Sequence, residues 1–391
     1  MQIFGRRYEN GEPVCITIQG ERIRSVEPAF PSKDAGEWPW IAPGFFDLQI
    51  NGHAGTWFSK EGLTADEVIA TLEPHFRFGI TRMCPTLVTN SFEALASGFR
   101  AIDQACRREA WVEKMVPGCH LEGPYISAED GPRGAHPLEH VRAADWDEFC
   151  RLQEASGGRI CLVTLAAEAE NAVEFITKAV ESGVVISIGH TAASPEQIAA
   201  AVNAGATLST HLGNGAHGMI RRHPNYIWEQ LGDERLWASL ITDGYHLPPS
   251  VVRSMTLAKG LHRAIITCDA SGLAGCPPGL YTEGNVDVEI LEDGRIVIAG
   301  QSQLLAGSGV ETDTCVARAI EYAGLSLSEA CDLAARNPAI LLGFEEIRLR
   351  RGSRADLVLF HHESPGDPLE ITATIAAGQV RYGEVGALAE S

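Results

Sequence analysis

The 391-residue chain lacks the features that mark several classes of protein. Its 10 cysteines include no Cys-x-x-Cys pair, and Cys161 and Cys268 lie within apolar runs, which favours buried free thiols over disulfides or a thiolate zinc site. No apolar run is long enough to cross a bilayer, and the N-terminus lacks the apolar segment of a signal peptide. Positive charge is scarce: Lys+Arg 31 against Asp+Glu 51 gives a net charge of -20, which opposes binding to nucleic acid or an anionic membrane. We therefore expect a cytoplasmic protein with neither kind of partner.

The two ends of the chain differ in pattern from its middle. Residues 1–40 contain short alternating apolar runs broken by Gly, Pro and Asn, and similar runs recur at 355–360 and 371–375. This pattern is typical of antiparallel sheet. Because an isolated hairpin is marginal in water, we predict that residues 1–40 and 345–391 together form one small β-sandwich domain. Residues 41–344 are then the main domain.

The middle of the chain alternates between strand and helix patterns. Capping signals open two of the helices, at Thr64 with Glu67 and at Ser194 before Pro195. The eight apolar, strand-like runs are 41–50, 81–88, 115–122, 160–166, 184–190, 206–211, 237–242 and 264–269. Eight such units predict a distorted (β/α)₈ TIM barrel. A doubly wound sheet is the alternative, but no G-x-G-x-x-G follows the first strand. An inserted hairpin at 279–299, turning at Asp293-Gly294, and helices at 310–323 and 327–342 complete this domain.

Polar side chains stand at the ends of the predicted strands, where barrel enzymes place their reactive groups. One histidine at a strand end is more often bonded to a neighbouring backbone group than to a metal. Two imidazoles and a carboxylate from three different strands are, however, a common ligand set for catalytic zinc. We therefore predict that Glu122, His190 and His211 hold one divalent metal ion, with zinc favoured over iron, manganese or cobalt. Asp269, which ends the last strand, is placed to exchange a proton with a water molecule. Asp243 also follows a strand, where an acidic residue either belongs to the site or caps the next helix.

Six motifs together resemble one known family, and their joint order and spacing are more specific than any one of them. They are PGFFDLQING (43–52), HLEGP (120–124), GHT (189–191), THLGN (210–214), TDGYH (242–246) and TCDAS (267–271). This combination resembles the N-acetylglucosamine-6-phosphate deacetylases of the amidohydrolase superfamily, over essentially the whole chain. The resemblance implies hydrolysis of an N-acetyl amide on a phosphorylated amino sugar. Glu122, His190 and His211 match the family's metal ligands and Asp269 its catalytic acid/base, while His136 matches a histidine that contacts substrate and polarises the amide carbonyl.

The same resemblance implies further substrate contacts. Asn214, Arg222 and His246 match positions that contact sugar or phosphate, some of which serve the neighbouring subunit of a homodimer; Gly215 is assigned to the same group. Many amidohydrolases carry His-x-His at the end of the first strand and bind two metals, whereas this chain has Gln49 and Asn51 there. Amides bind zinc poorly. One tight metal is therefore expected, with Gln49 near the substrate or the metal ligands.

The chain departs from the family on the substrate side. Residues 213–219 form a glycine-rich loop where the family has an aromatic residue and Asn-Ala-Met, and the loop containing residues 129–133 is slightly longer. Both differences concern the sugar that binds rather than the reaction. Deacetylation of N-acetylgalactosamine 6-phosphate or an unphosphorylated sugar, and N-acyl-amino-acid deacylation, stay as alternatives. A sugar-phosphate-binding protein without catalysis is the alternative of another class.

Overall fold

The computed structural model describes residues 1–30, 35–283 and 286–385. Its centre is a sheet of eight parallel strands in sequence order. The strands are Phe45–Ile50, Ile80–Val88, Cys119–Glu122, Ile160–Leu165, Val185–Ile188, Leu208–Ser209, Trp237–Ile241 and Ala264–Thr267. Ile50 pairs with Ala270, just beyond the eighth strand, which brings the first and last strands together. The predicted distorted (β/α)₈ barrel is confirmed.

Helices cover the outside of the barrel. Its strands are therefore buried on both faces, as parallel strands usually are. The helices are Ala65–Leu72, Phe92–Arg108, Ala110–Met115, Trp146–Ala155, Ala172–Glu181, Pro195–Asn203, Tyr226–Gly232, Pro249–Lys259, Thr312–Ala323 and Leu327–Leu341, with 3₁₀ turns at Ala35–Glu37, Glu73–Phe78 and Leu138–His140. Thr64 and Ser194 cap their helices as predicted, each by a capping box. None of the described helices has the length and apolar character needed to cross a membrane.

Both ends of the chain join one seven-stranded sheet beside the barrel. Its order is Gln379–Gly383, Glu370–Ala376, Leu357–His361, Trp40–Pro43, Gln2–Arg7, Pro13–Gln19 and Arg22–Pro28. The predicted β-sandwich-like unit built from both termini is therefore confirmed, while its exact boundaries stay predictions. The apolar run 41–50 is divided between the two units at Gly44, where a Cβ atom would lie 2.2 Å from Thr81. A continuous apolar run does not reveal such a change of sheet.

Two other predicted segments differ in extent from the structure. The run 115–122 contains a helix end at Met115 before its strand begins at Cys119. The insertion after the eighth barrel strand is a four-stranded antiparallel sheet, Gly279–Glu283, Val286–Ile290, Ile296–Ile298 and Gln301–Leu305, rather than a single hairpin. Part of the predicted hairpin, residues 284–285, lies outside the described residues. The Asp293-Gly294 turn lies between the second and third of these strands.

Candidate active site

Four predicted site residues lie together at the carboxyl ends of the barrel strands. Glu122 is the last residue of its strand, and His190 and His211 each follow theirs by two residues. His190, His211 and Asp269 have φ angles of 50°, 30° and 53°. Non-glycine residues seldom adopt this left-handed conformation, and such strain concentrates at functional sites. The chain thus leaves three strands by unfavourable turns that direct these side chains into one place.

The three predicted metal ligands converge on one point. Oε1 of Glu122 lies 3.2 Å from Nε2 of His190 and 3.0 Å from Nε2 of His211, and the two Nε2 atoms are 3.1 Å apart. Nδ1 of His190 donates to the Pro132 carbonyl at 2.8 Å, which leaves Nε2 as the nitrogen with a free lone pair. All three residues are buried.

This geometry fits a divalent metal ion. Zinc binds nitrogen and oxygen ligands at roughly 2.0–2.1 Å, so tetrahedral ligands lie about 3.3 Å from one another. The three separations are close to that spacing. Bonding of the second imidazole nitrogen to a carbonyl, as in His190, is typical of metal-binding histidines because it fixes the ring and its tautomer. One ligand atom from each of Glu122, His136 and His190 also lies within 4.8 Å of the other two, so His136 lies beside the predicted ligands.

Asp269 and Glu122 each accept a hydrogen bond from a side-chain amide. The donor to Glu122 lies in the first barrel strand, and the donor to Asp269 directly follows that strand. Asn51 Nδ2 donates to Asp269 Oδ1 at 2.8 Å, and Gln49 Nε2 donates to Glu122 Oε1 at 2.7 Å. Burial, with the nearby charge of Glu122, raises the pKa of Asp269 to about 8. The amide pair that replaces His-x-His therefore orients the two carboxylates, which agrees with the predicted place of Gln49 beside the metal ligands.

His136 packs against the histidine cluster and is held by a threonine. Its ring centroid is 4.3 Å from that of His190, and its Nδ1 lies 2.8 Å from the Thr89 hydroxyl. Burial, followed by the charge of His190, lowers the pKa of His136 to about 3, so the ring is neutral. A neutral imidazole in this position is suited to hydrogen bonding with a substrate.

These residues lie at a cavity of about 770 Å³, large enough for a small-molecule ligand. Three predicted substrate residues, Asn214, Gly215 and His246, line it. Nδ1 of His246 is bonded to Asp243 at 2.7 Å. Arg222 is exposed and is not among the residues that line the cavity, so the fold of one chain does not bring it to the other predicted contacts. Its role stays a prediction.

The structure also reveals supporting residues that the motif reasoning did not single out. Asp47 is fully buried in the first strand and accepts hydrogen bonds from the Thr312 hydroxyl at 2.7 Å and the Cys268 amide at 2.9 Å. It thus fixes the backbone beside Asp269 to the first strand. An acidic residue inside an apolar strand was the available signal. Thr89 carried no such signal, because a threonine at a strand end is common.

Comparison with known proteins agrees with this fold. A model of the amidohydrolase family matches residues 40–381, so the chain belongs to that family of hydrolases. The N-acetylglucosamine-6-phosphate deacetylase of Bos taurus is 33% identical over 386 residues, covering 93% of this chain and 90% of that protein. The N-acetylgalactosamine-6-phosphate deacetylase of Escherichia coli O157:H7 is 32% identical, covering 86% and 87%. The crystal structure of the N-acetyl-D-glucosamine-6-phosphate deacetylase of Mycobacterium smegmatis has a TM-score of 0.84 at 32% identity, covering 94% and 95%. Within the amidohydrolases, the chain belongs to the N-acetylglucosamine-6-phosphate deacetylase family.

Proposed function

We propose that this enzyme hydrolyses N-acetylglucosamine 6-phosphate to glucosamine 6-phosphate and acetate, as a step of amino-sugar catabolism in the cytoplasm. The convergence of Glu122, His190, His211 and Asp269 at the cavity carries the proposal. That arrangement provides a metal site and a separate proton-transfer group, which are the two requirements for metal-assisted amide hydrolysis. The family relationship supports the substrate class.

We infer that Glu122, His190 and His211 hold one zinc ion, with iron, manganese or cobalt as the alternatives. When bound, such an ion lowers the pKa of a water molecule and polarises the acetyl carbonyl. Gln49 hydrogen bonds to the glutamate and so orients its carboxylate. Because the first strand ends in amides rather than imidazoles, a second tightly held ion with Gln49 and Asn51 as ligands is not expected.

Asp269 is the proposed acid/base. A cation beside it favours the ionised form, which accepts a proton from the attacking water molecule. The burial that raises its pKa to about 8 favours the return of that proton to the departing amine. The hydrogen bond from Asn51 fixes Oδ1, so the other carboxylate oxygen is available for the transfer.

His136 is the proposed partner of the acetyl oxygen. Since the ring is neutral, only one of its nitrogens carries a proton. If the Thr89 hydroxyl donates to Nδ1, the proton resides on Nε2, which then donates to the developing oxyanion. The Thr89 hydroxyl has one proton, which it gives either to Nδ1 at 2.8 Å or to the Glu122 carbonyl at 3.5 Å, so only the first arrangement leaves the His136 proton on Nε2.

The phosphate group needs a cation on a chain whose net charge is -20. Arginine binds phosphate through two parallel hydrogen bonds. Because Arg222 is exposed and does not line the cavity of its own chain, we propose that the enzyme is a homodimer in which Arg222 reaches the partner's substrate. Asn214, Gly215 and His246 are the proposed contacts within one chain.

N-acetylgalactosamine 6-phosphate is a second candidate substrate. Two relatives that carry that name, from Escherichia coli O157:H7 and Shewanella sp. (strain ANA-3), are 32% and 30% identical. The glycine-rich loop at 213–219 lines the cavity with its first six residues, so its unusual sequence bears directly on which sugar fits. The two sugars differ only in the configuration of one hydroxyl group.

Acetate release from a panel of N-acetyl sugars tests both parts of the proposal. The zinc-loaded enzyme is compared on the 6-phosphates of N-acetylglucosamine and N-acetylgalactosamine and on unphosphorylated N-acetylglucosamine. We expect the highest kcat/KM on N-acetylglucosamine 6-phosphate; a preference for its epimer supports the second candidate. Equal rates with and without phosphate contradict the role of Arg222. A protein that holds no metal and gives no turnover after zinc, iron, manganese or cobalt is added is instead a binding protein.

A further inference from the structure

A second group of metal-binding side chains lies outside the cavity. His53 follows the first barrel strand, His75 lies in the 3₁₀ turn Glu73–Phe78, and Glu311 directly precedes the helix Thr312–Ala323. Their exposed fractions are 8%, 0% and 4%. None of the three is among the residues that line the active-site cavity. The fold thus buries two imidazoles and a carboxylate from three distant segments at one place.

The distances within this group are those of a potential coordination site. Nδ1 of His53 lies 3.0 Å from Oε1 of Glu311, and Nδ1 of His75 lies 3.3 Å from Oε2. One ligand atom from each residue lies within 4.8 Å of the other two. The carboxylate therefore presents one oxygen to each ring.

His75 is the residue that a simple hydrogen-bonded cluster does not explain. Although Nδ1 lies 3.3 Å from Oε2 of Glu311, this contact does not have the geometry of a hydrogen bond, and neither ring nitrogen of this fully buried residue has a hydrogen-bond partner among the described residues. Buried polar atoms are nearly always satisfied, because an unpaired one costs about 1–3 kcal/mol. A lone pair aimed at a metal ion satisfies Nδ1 without a hydrogen bond.

The charge of Glu311 also calls for a cation. Within the described chain, the contacts found for its carboxylate are His53, His75 and the Cys268 thiol, whose Sγ is 4.0 Å from Oε2; no lysine or arginine contacts it. A buried carboxylate needs a compensating positive charge. Glu311 also occupies the N-cap position of its helix without capping it, since its side chain turns to the histidines instead.

We propose that His53, His75 and Glu311 bind a second divalent metal ion, of the zinc class, with Cys268 as the candidate fourth ligand. Two imidazoles, one carboxylate and one thiol are borderline ligands that suit zinc. A closed set of four protein ligands is typical of a structural ion rather than a catalytic one. The ion connects the start of the last-but-one helix to the short hairpin of Gly52–His53 and Thr56–Trp57, whose Trp57 lines the cavity. The ion therefore stabilises the hairpin that contributes Trp57 to the wall of the active-site cavity.

Metal counting by mass spectrometry on the purified full-length protein, expressed with added zinc and dialysed, tests this inference. We expect two equivalents of metal per chain. His75→Gln and Glu311→Gln are each expected to lower the count from two to one and to leave the ion at Glu122 in place. Glu122→Gln is expected to lower the count to one by removing the active-site ion instead. The matched control is His217→Gln, which breaks a more exposed histidine–glutamate pair of 3.1 Å and is expected to keep two equivalents.

A measurement on the wild-type protein keeps the test valid if a variant fails to fold. Anomalous difference maps at the zinc edge from zinc-grown crystals are expected to show a peak between Nδ1 of His53, Nδ1 of His75 and the Glu311 carboxylate. One equivalent of metal in the wild type, with no peak at these residues, overturns the proposal and identifies the cluster as a metal-free contact between two histidines and a glutamate. Deacetylase activity is scored separately, so loss of the proposed function and absence of this ion are distinguishable.

Discussion

Replacement of Asp269 by asparagine separates metal binding from proton transfer. The amide has nearly the same shape as the carboxyl group, and Asn51 Nδ2 is able to donate to its oxygen as it does to Oδ1 at 2.8 Å. The variant loses only the ability to accept and return a proton. Because the buried carboxyl is replaced by a neutral group, no cost in folding is expected.

The expected loss follows from the size of general acid–base catalysis. A positioned proton-transfer group contributes roughly 10²–10⁴-fold to the rate. At 1.36 kcal/mol for each factor of ten, this is about 3–5 kcal/mol of transition-state stabilisation. The ligands Glu122, His190 and His211 are unchanged, so the affinity for metal and for substrate is expected to stay close to that of the wild type.

Steady-state acetate release with N-acetylglucosamine 6-phosphate gives kcat and KM, and mass spectrometry gives the metal content of the same preparation. We expect kcat to fall by at least about 10² while the metal content is unchanged. If Asp269→Asn carries full metal and keeps kcat within about tenfold of the wild type, another residue is the acid/base and the proposed mechanism is wrong.

Three further predictions concern the residues around the metal ligands. Gln49→Leu removes the 2.7 Å hydrogen bond to Glu122, a proposed metal ligand, and is expected to weaken metal affinity by about 10–100-fold in a chelator competition; unchanged affinity contradicts an orienting role. Gly215→Ala places a Cβ atom 2.8 Å from Nδ1 of His190 at a φ of +55° and is expected to lower both metal affinity and kcat, whereas Gly218→Ala, with open space around it, is the matched control. Burial lowers the pKa of His120 to about 4, so as the pH falls this side chain is protonated in the unfolded chain before it is protonated in the folded one. The free energy of unfolding is therefore expected to drop by up to about 3 kcal/mol between pH 6.5 and 4. Urea titrations at several pH values should show a smaller drop for His120→Asn. Equal drops in the wild type and the variant contradict this role of His120.

The residues that the barrel itself positions could be predicted from the sequence, because they stand at the ends of its strands. Glu122, His190 and His211 stand at the ends of three predicted strands, and parallel strands in a barrel present their carboxyl ends on one rim. Their meeting within 3.2 Å follows from that topology. The chemistry of the ligand set was therefore accessible from the sequence, whereas the hydrogen bond of His190 to Pro132 was not, since it depends on how a long loop folds back.

The second histidine cluster had no comparable signal. His53, His75 and Glu311 are far apart in sequence, and none ends a recognisable barrel strand. Each taken alone is consistent with an ordinary polar residue in a turn. Only the tertiary fold brings the two imidazoles to the Glu311 carboxylate, and sequence periodicity carries no information about those contacts. The division at Gly44 was hidden for a similar reason, because both sheets need apolar residues.

Two glycines from different loops connect the substrate side of the site to its metal side. A Cβ atom on Gly134 would lie 3.2 Å from Cε1 of His190, and one on Gly215 would lie 2.8 Å from Nδ1 of the same ring. Both glycines have positive φ angles and both line the cavity. The ring of His190 is therefore packed by the two loops that the sequence analysis predicts to differ from the family pattern. A substitution at a position that contacts the ring would also disturb His190. Differences in sugar specificity should therefore concentrate at other cavity-lining residues of these loops, such as Asn214 and His217.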